Sequence, residues 1–216
     1  MVEPVTGLRA ETIRSNLDRV RDEIASTGRD PGGVQILAAV KYVPLGELGV
    51  LAEAGVELVG ENRAQDLVAK AEAYPGAFTW DFIGHLQSRK VRQVLPHVRY
   101  IETVASDSVL AQLEHHASAD TEVLVEVNVA REAGKSGLDP DELPAFLERC
   151  PVTVVGLMTM PPLAPDPEDS SPYFAALREL AGLHGLRELS MGTSQDYVVA
   201  AREGATIVRL GTSLYA

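Results

Sequence analysis

Val34-Gln35-Ile36-Leu37-Ala38-Ala39-Val40-Lys41 is an apolar run closed by a single charge, and Pro44 ends the extended segment just beyond it. A short apolar run bounded by a breaker reads as a buried strand. The lysine at its end is expected to keep its stem in a desolvated interior and its amine at the mouth. Such surroundings lower an amine's pKa and make it a nucleophile toward carbonyls, the chemistry of a Schiff-base lysine. The plainer alternative is a strand-end lysine whose stem covers apolar surface while its head reaches water.

Outward from this run, β-like segments recur at 57–62, 79–84, 99–104, 121–129, 152–160, 187–191 and 206–211, with 34–41 the first of eight. Helical patterns lie between them, near 44–55, 63–74, 87–96, 107–118, 139–149, 170–184 and 194–204. Eight strands alternating with helices predict an α/β fold. The expected architecture is a single-domain (β/α)₈ TIM barrel over residues 1–216, not an open doubly wound sheet. The amphipathic stretch 8–27 (Leu8, Ile13, Leu17, Val20, Ile24) is expected to form an extra N-terminal helix on the barrel wall. It would take the place of an eighth helix, because the sequence stops after the eighth strand. The proline-rich segment 161–172 is expected to be a mobile loop after strand six.

The 31 acidic residues outnumber the 19 basic ones and leave a net charge of −12, which disfavours nucleic acid and anionic membranes as partners. No run reaches the length of a membrane helix and the start lacks a signal-peptide pattern, so a cytoplasmic location is expected. The single Cys150 reads as packing. HExxH, paired-cysteine and GxSxG patterns are missing, and no metal site is expected. Gly134-Lys135-Ser136 resembles the end of a P-loop, but that motif needs glycine where Val129 stands.

Barrel sites form at the carboxyl ends of the strands, and phosphate groups often bind after strands seven and eight. Lys41, Asn62, Gly84-His85, Asn128, Ser190-Met191-Gly192-Thr193-Ser194 and Arg209-Leu210-Gly211-Thr212-Ser213 fall at those ends. In the last two segments Gly192 and Gly211 can bring backbone amides close to a ligand, and Ser190, Ser194 and Thr212 can donate to oxygens. A helix starting near Ser194 would add a positive dipole end. Thr193 and Asp196 also have the spacing of a capping box, and Gly211-Thr212-Ser213 also suits an ordinary turn. Alternation puts Arg209 on the face of Ile207 and Gly211; a guanidinium buried there needs a ring nitrogen, a phosphate or a carboxylate from another strand. Asn62 suits a ligand hydroxyl or a cap on the following helix equally well. His85 either faces the pocket or is structural. His115 and His116 fall on a solvated helical face.

These blocks, in order, resemble the pyridoxal-phosphate homeostasis protein family, also called the YggS or proline-synthase-associated family. Ala39-Val40-Lys41 looks like its cofactor-lysine segment, Gly60-Glu61-Asn62-Arg63-Ala64-Gln65-Asp66 resembles GENRxQE, and Trp80 to Lys90 resembles WHFIGxLQxNK. Glu126-Val127-Asn128, Lys135-Ser136-Gly137 and Gly156-Leu157-Met158 continue in register. Ser190 to Ser194 resembles SMGMS and Val208 to Thr212 resembles VRxGT. Departures occur at Asp81 for histidine, Arg89 for asparagine, Thr193 for methionine, the tract Gln195-Asp196-Tyr197, and Leu214-Tyr215-Ala216. Those at Asp81 and Thr193 bear on the expected pocket contacts.

The resemblance implies a barrel like the N-terminal domain of alanine racemase, with pyridoxal 5′-phosphate as cofactor in a Schiff base on Lys41. It implies Asn62 beside the cofactor, and Ser190, Met191, Ser194, Arg209, Gly211 and Thr212 holding its ring and phosphate; His85 is counted with the expected cofactor-binding residues from its place at the end of strand three. The expected function is cofactor homeostasis: binding and releasing pyridoxal phosphate without efficient turnover, with apoenzymes that use it as recipients. The alternative is a racemase or decarboxylase of the same fold. Racemisation needs a second acid/base, which alanine racemases take from a C-terminal domain across a dimer. None follows Ala216, so no efficient racemase and a monomer are expected. A phosphosugar or phosphate-ester enzyme is a third reading.

Overall fold

The structure, a computed structural model, describes residues 3–216. Eight parallel strands close into a barrel in sequence order: β1 (Gln35–Ala39), β2 (Leu58–Glu61), β3 (Thr79–Phe82), β4 (Tyr100–Val104), β5 (Glu122–Glu126), β6 (Thr153–Met158), β7 (Glu188–Thr193) and β8 (Ile207–Leu210). Each lies within or at most two residues outside its expected range. The ring closes where β1 pairs with β8, Leu37 opposite Arg209.

Helices α2 (Leu48–Glu53), α3 (Ala64–Ala73), α4 (Val91–Val94), α5 (Asp107–His116), α6 (Leu143–Arg149), α7 (Ser171–Leu183) and α8 (Tyr197–Arg202) fill the connections, and α1 (Ala10–Ser26) precedes β1. Several expected helices are shorter than their patterns and start with a 3₁₀ turn, as at Leu45–Glu47, Ser88–Lys90 and Pro140–Glu142. Contrary to the expectation of nothing helical after strand eight, one turn follows it, α9 (Thr212–Tyr215). The expected loop 161–172 also carries structure: a 3₁₀ turn spans Pro167–Ser170 and α7 begins at Ser171, with Ser170 buried against Asp196.

Strand alternation separates two cores. Outward residues such as Val59, Met191, Val208 and Leu210 meet the helices in the large shell of apolar packing. The inward set is smaller, with Leu37, Leu58 and Ile207 in one cluster and Leu124, Val155 and Met158 in another. Beside them the interior holds the buried polar residues Asp81, Glu102, Ser190 and Arg209.

Helix α1 occupies the wall position of an eighth helix. Its apolar stripe Ile13, Leu17, Val20 and Ile24 is buried, while its polar side chains tie it to both neighbours. Arg14 donates to the Glu53 carbonyl of α2 at 2.9 Å, and Glu23 accepts from the Tyr197 hydroxyl of α8. Asn16 donates to the Leu214 carbonyl at 3.0 Å and Arg19 to that of Ser213 at 2.8 Å, so the same helix holds the segment after β8.

Candidate functional site

A cavity of about 500 Å³ opens at the carboxyl ends of β1, β2, β3, β7 and β8. Six of the nine expected site residues line it: Lys41, Asn62, Ser194, Arg209, Gly211 and Thr212. Lys41 stands in the turn two residues beyond β1 and is exposed, its Nζ 5.1 Å from the centre of the Tyr42 ring. The expected desolvated stem is therefore not what the fold provides. Because the strand ends at Ala39, the apolar run's last two residues leave the sheet and the lysine reaches the rim.

Arg209 enters the barrel on the face alternation assigns it and is buried. It donates to the Thr159 carbonyl at 2.9 Å and to Ser190 Oγ at 2.5 Å. Ser190 in turn donates to Glu102 Oε2 at 2.6 Å, and that oxygen lies 3.9 Å from the guanidinium. The carboxylate from another strand is thus Glu102 of β4, bridged to Arg209 by a hydroxyl. Burial lowers the Arg209 pKa from its usual value, opposed first by Glu102 and then by Asp196 and Glu126. Burial, then the charge of Asp81, pushes Glu102 up to about 8 against the pull of Arg209 and the Ser190 bond. A carboxyl of that kind leaves much of the guanidinium's charge free to act on the cavity above it.

The loop after β8 forms the other wall. Ser194 Oγ accepts the amides of Gly211 at 3.1 Å and Ser213 at 3.2 Å, which leaves its own proton to donate. A methyl group at Gly211 would meet only the Ala39 carbonyl, at 4.0 Å, and would project into open space beside the cavity. Thr212 is exposed on the rim at the first turn of α9. Hydroxyls and a guanidinium around a cavity of this size suit an anionic, ring-sized ligand.

Three expected residues lie elsewhere. Met191 is fully buried in the outer shell, because β7 alternates and Ser190 takes the inward face. Ser190 itself lies below the cavity and positions Arg209. His85 is exposed and lines a separate cleft behind Asn62. Gly192 also differs from its expected role: at φ 92° it lies under α8, where a methyl group would stand 2.5 Å from the Ala200 methyl. It serves helix packing. Helix α8 begins at Tyr197, later than expected, and the Thr193 amide is taken by Asp196 Oδ1 at 2.7 Å. Asn62 does not cap α3, whose N-cap is Arg63.

Asp81 faces away from the cavity, paired with Arg99 through two bonds, one of 2.5 Å. Its departure from the family block is absorbed by that pair. The Thr193 departure does reach the cavity wall. Sequence reading gave no role to Glu102, Tyr42, Met160 or Tyr215. Tyr215 lines the cavity and donates to the Ala39 carbonyl at 3.2 Å. Glu102 had a legible signal, a charge within the apolar strand Tyr100–Val104.

The fold and this site define a barrel of the alanine racemase N-terminal kind: the family model described as "Alanine racemase, N-terminal domain" matches residues 8–216. The alanine racemase of Corynebacterium glutamicum shares the fold, with a TM-score of 0.73 at 15% identity over 96% of this chain and 61% of that one. More specifically, the chain belongs to the pyridoxal phosphate homeostasis protein family. It is 36% identical to the member from Aquifex aeolicus over 95% of this chain and 96% of that protein. PipY of Synechococcus elongatus, in a structure with PLP bound, matches with a TM-score of 0.79 at 30% identity, covering 94% of this chain and all of that one.

Proposed function

We propose that this protein holds pyridoxal 5′-phosphate in the cavity at the carboxyl ends of its strands, in a Schiff base with Lys41, and releases it to apoenzymes that use it. The carrying observation is that one cavity gathers a primary amine, a buried guanidinium and a hydroxyl-rich turn. When bound, the cofactor supplies an aldehyde to the amine, and its ring and phosphate to polar donors.

The residues present fit that group. Lys41 offers its amine at the rim. Arg209, fixed by Ser190, the Thr159 carbonyl and the Met160 sulfur, brings its guanidinium to the cavity wall. Ser194, the Thr212 hydroxyl and the open face at Gly211 suit the phosphate, and Asn62 closes the side between β2 and β3.

Exposure of Lys41 fits a carrier, since water and competing amines can reach the bond that retains the cofactor. A racemase needs a second base facing the substrate. Tyr215 is poorly suited: its hydroxyl is spent on the Ala39 carbonyl, and burial pushes its phenol above the usual range. We read the whole chain as one cofactor-binding unit, monomeric and cytoplasmic. No helix among the described residues is long and apolar enough to cross a membrane.

Loading the purified protein with pyridoxal phosphate should produce a visible absorbance band. Borohydride reduction and peptide mapping should place the pyridoxyl group on Lys41, and Lys41→Ala should abolish both signals. A protein that stays colourless overturns the reading. Turnover of L- to D-alanine that is lost in Lys41→Ala would establish the enzyme instead.

A further inference from the structure

A second cleft, of about 320 Å³, lies behind Asn62 at the carboxyl ends of β2 and β3. Arg63, His85, Arg89 and Lys90 line it, in a chain whose net charge is −12. Among the described residues, no carboxylate pairs with Arg89 or Lys90. Arg89 donates to the Gln87 side chain at 3.1 Å and Lys90 to that of Gln93 at 3.1 Å, both neutral acceptors. Arg63 has only a loose pairing with Asp66, at 3.9 Å. Its position as N-cap of the ten-residue α3 supplies no side-chain acceptor to the first amides, and Ala64 and Gln65 of that first turn line the same cleft. Phe82 and Leu86 lie beneath it, only 1% and 3% exposed, so the accessible walls of the cleft are mainly polar.

We infer that this cleft is a second anion site, which takes a small phosphomonoester. A guanidinium and an ammonium without carboxylate partners match phosphate oxygens. A cleft of this volume suits a small molecule better than a protein segment, and the overall negative charge opposes nucleic acid. Asn62 lines this cleft and the cofactor cavity, so the two sites are neighbours. The inference does not depend on Lys41.

The test is a titration of the full-length protein with phenyl phosphate, followed by amide NMR shifts. Saturable shifts are expected at Ala64, Gln65 and Ser88 to Lys90. The double variant Arg89→Gln/Lys90→Gln should weaken them by about tenfold or more, the loss of at least one charge-assisted contact, while leaving any shifts at Gly211 to Ser213 in place. Exposed Arg89→Gln alone should weaken them in the same direction if the double variant folds poorly. Inorganic phosphate should compete with phenyl phosphate for the same shifts, and a failure to compete overturns the assignment to a phosphate group. Shifts confined to Gly211 to Ser213, no saturation, or unchanged affinity in the folded variants overturn the site. Repeating the titration in Lys41→Ala keeps the outcome separate from the cofactor reading.

Discussion

Glu102 lies inside the barrel with Oε2 bonded to Ser190 and Oε1 without a hydrogen-bond partner among the described residues. Its pKa is raised by folding from 4.5 to about 8, so the folded protein holds a proton that the unfolded chain releases between those values. The sign follows: this group's contribution to stability is present below its unfolded pKa and is lost as pH rises through about 8. Glu102→Gln carries no such proton. Urea denaturation should show a smaller fall in stability for the variant than for the parent as pH goes from about 5 to about 8. Equal slopes would mean that Glu102 is ionised throughout. Glu102→Gln can still accept from Ser190, so the Arg209 arrangement should persist and pyridoxal phosphate should still load. At this scale the sequence put Arg209 on one face with Ile207 and Gly211, because a period of two decides it; closure of the barrel made that face the inner one. The sequence did not show which carboxylate meets Arg209, because β4 and β8 are far apart in the chain and come together only across the closed barrel.

Elements are joined here by a few buried ions as well as by apolar packing. Lys70 of α3 is buried and donates to Glu61 of β2 at 2.5 Å and to the Val40 carbonyl after β1 at 2.7 Å. Glu61 also accepts the Asn62 and Arg63 amides, so this one carboxylate sets the turn that carries Asn62 into the cavity. Lys70→Met leaves Glu61 buried and unpaired, with an expected cost of about 3–5 kcal/mol. Thermal melts check the loss. Because the Asn62 turn loosens, cofactor affinity should fall as well, whereas a purely global effect would lower the melting temperature without changing affinity in the folded fraction. The strands were legible element by element from apolar runs and breakers. The helices were legible in position but not in length, since 3₁₀ starts at Leu45, Ser88 and Pro140 depend on how tightly each connection must turn back to the sheet.

For the whole molecule, α1 is the piece that completes the wall. Four large apolar side chains, Ile13, Leu17, Val20 and Ile24, are buried by it. At about 1.5–3 kcal/mol each, their burial is comparable with the net stability of a domain. Removing residues 8–27 should therefore leave a chain without a cooperative unfolding transition. Ile24→Ala, fully buried, should cost about 2–5 kcal/mol while the barrel and its cofactor loading survive. Calorimetry distinguishes the two cases. A truncated chain that melts cooperatively would show that α1 is an accessory to a barrel already closed.

By itself, the sequence determined the number of strands, their order, the shared face of Ile207 and Arg209 and the family blocks that place an amine and a glycine- and hydroxyl-rich turn at one end. These are local or periodic properties, carried by neighbouring residues. Tertiary structure alone decided that Lys41 stands exposed at the rim, that Met191 and Gly192 serve packing, that His85 belongs to a second cleft, and that Glu102 reaches Arg209 through Ser190. The physical reason is the same in each case. Burial and partnership depend on where a strand stops and on which distant strand closes the barrel against it, and neither is written in the spacing of nearby residues.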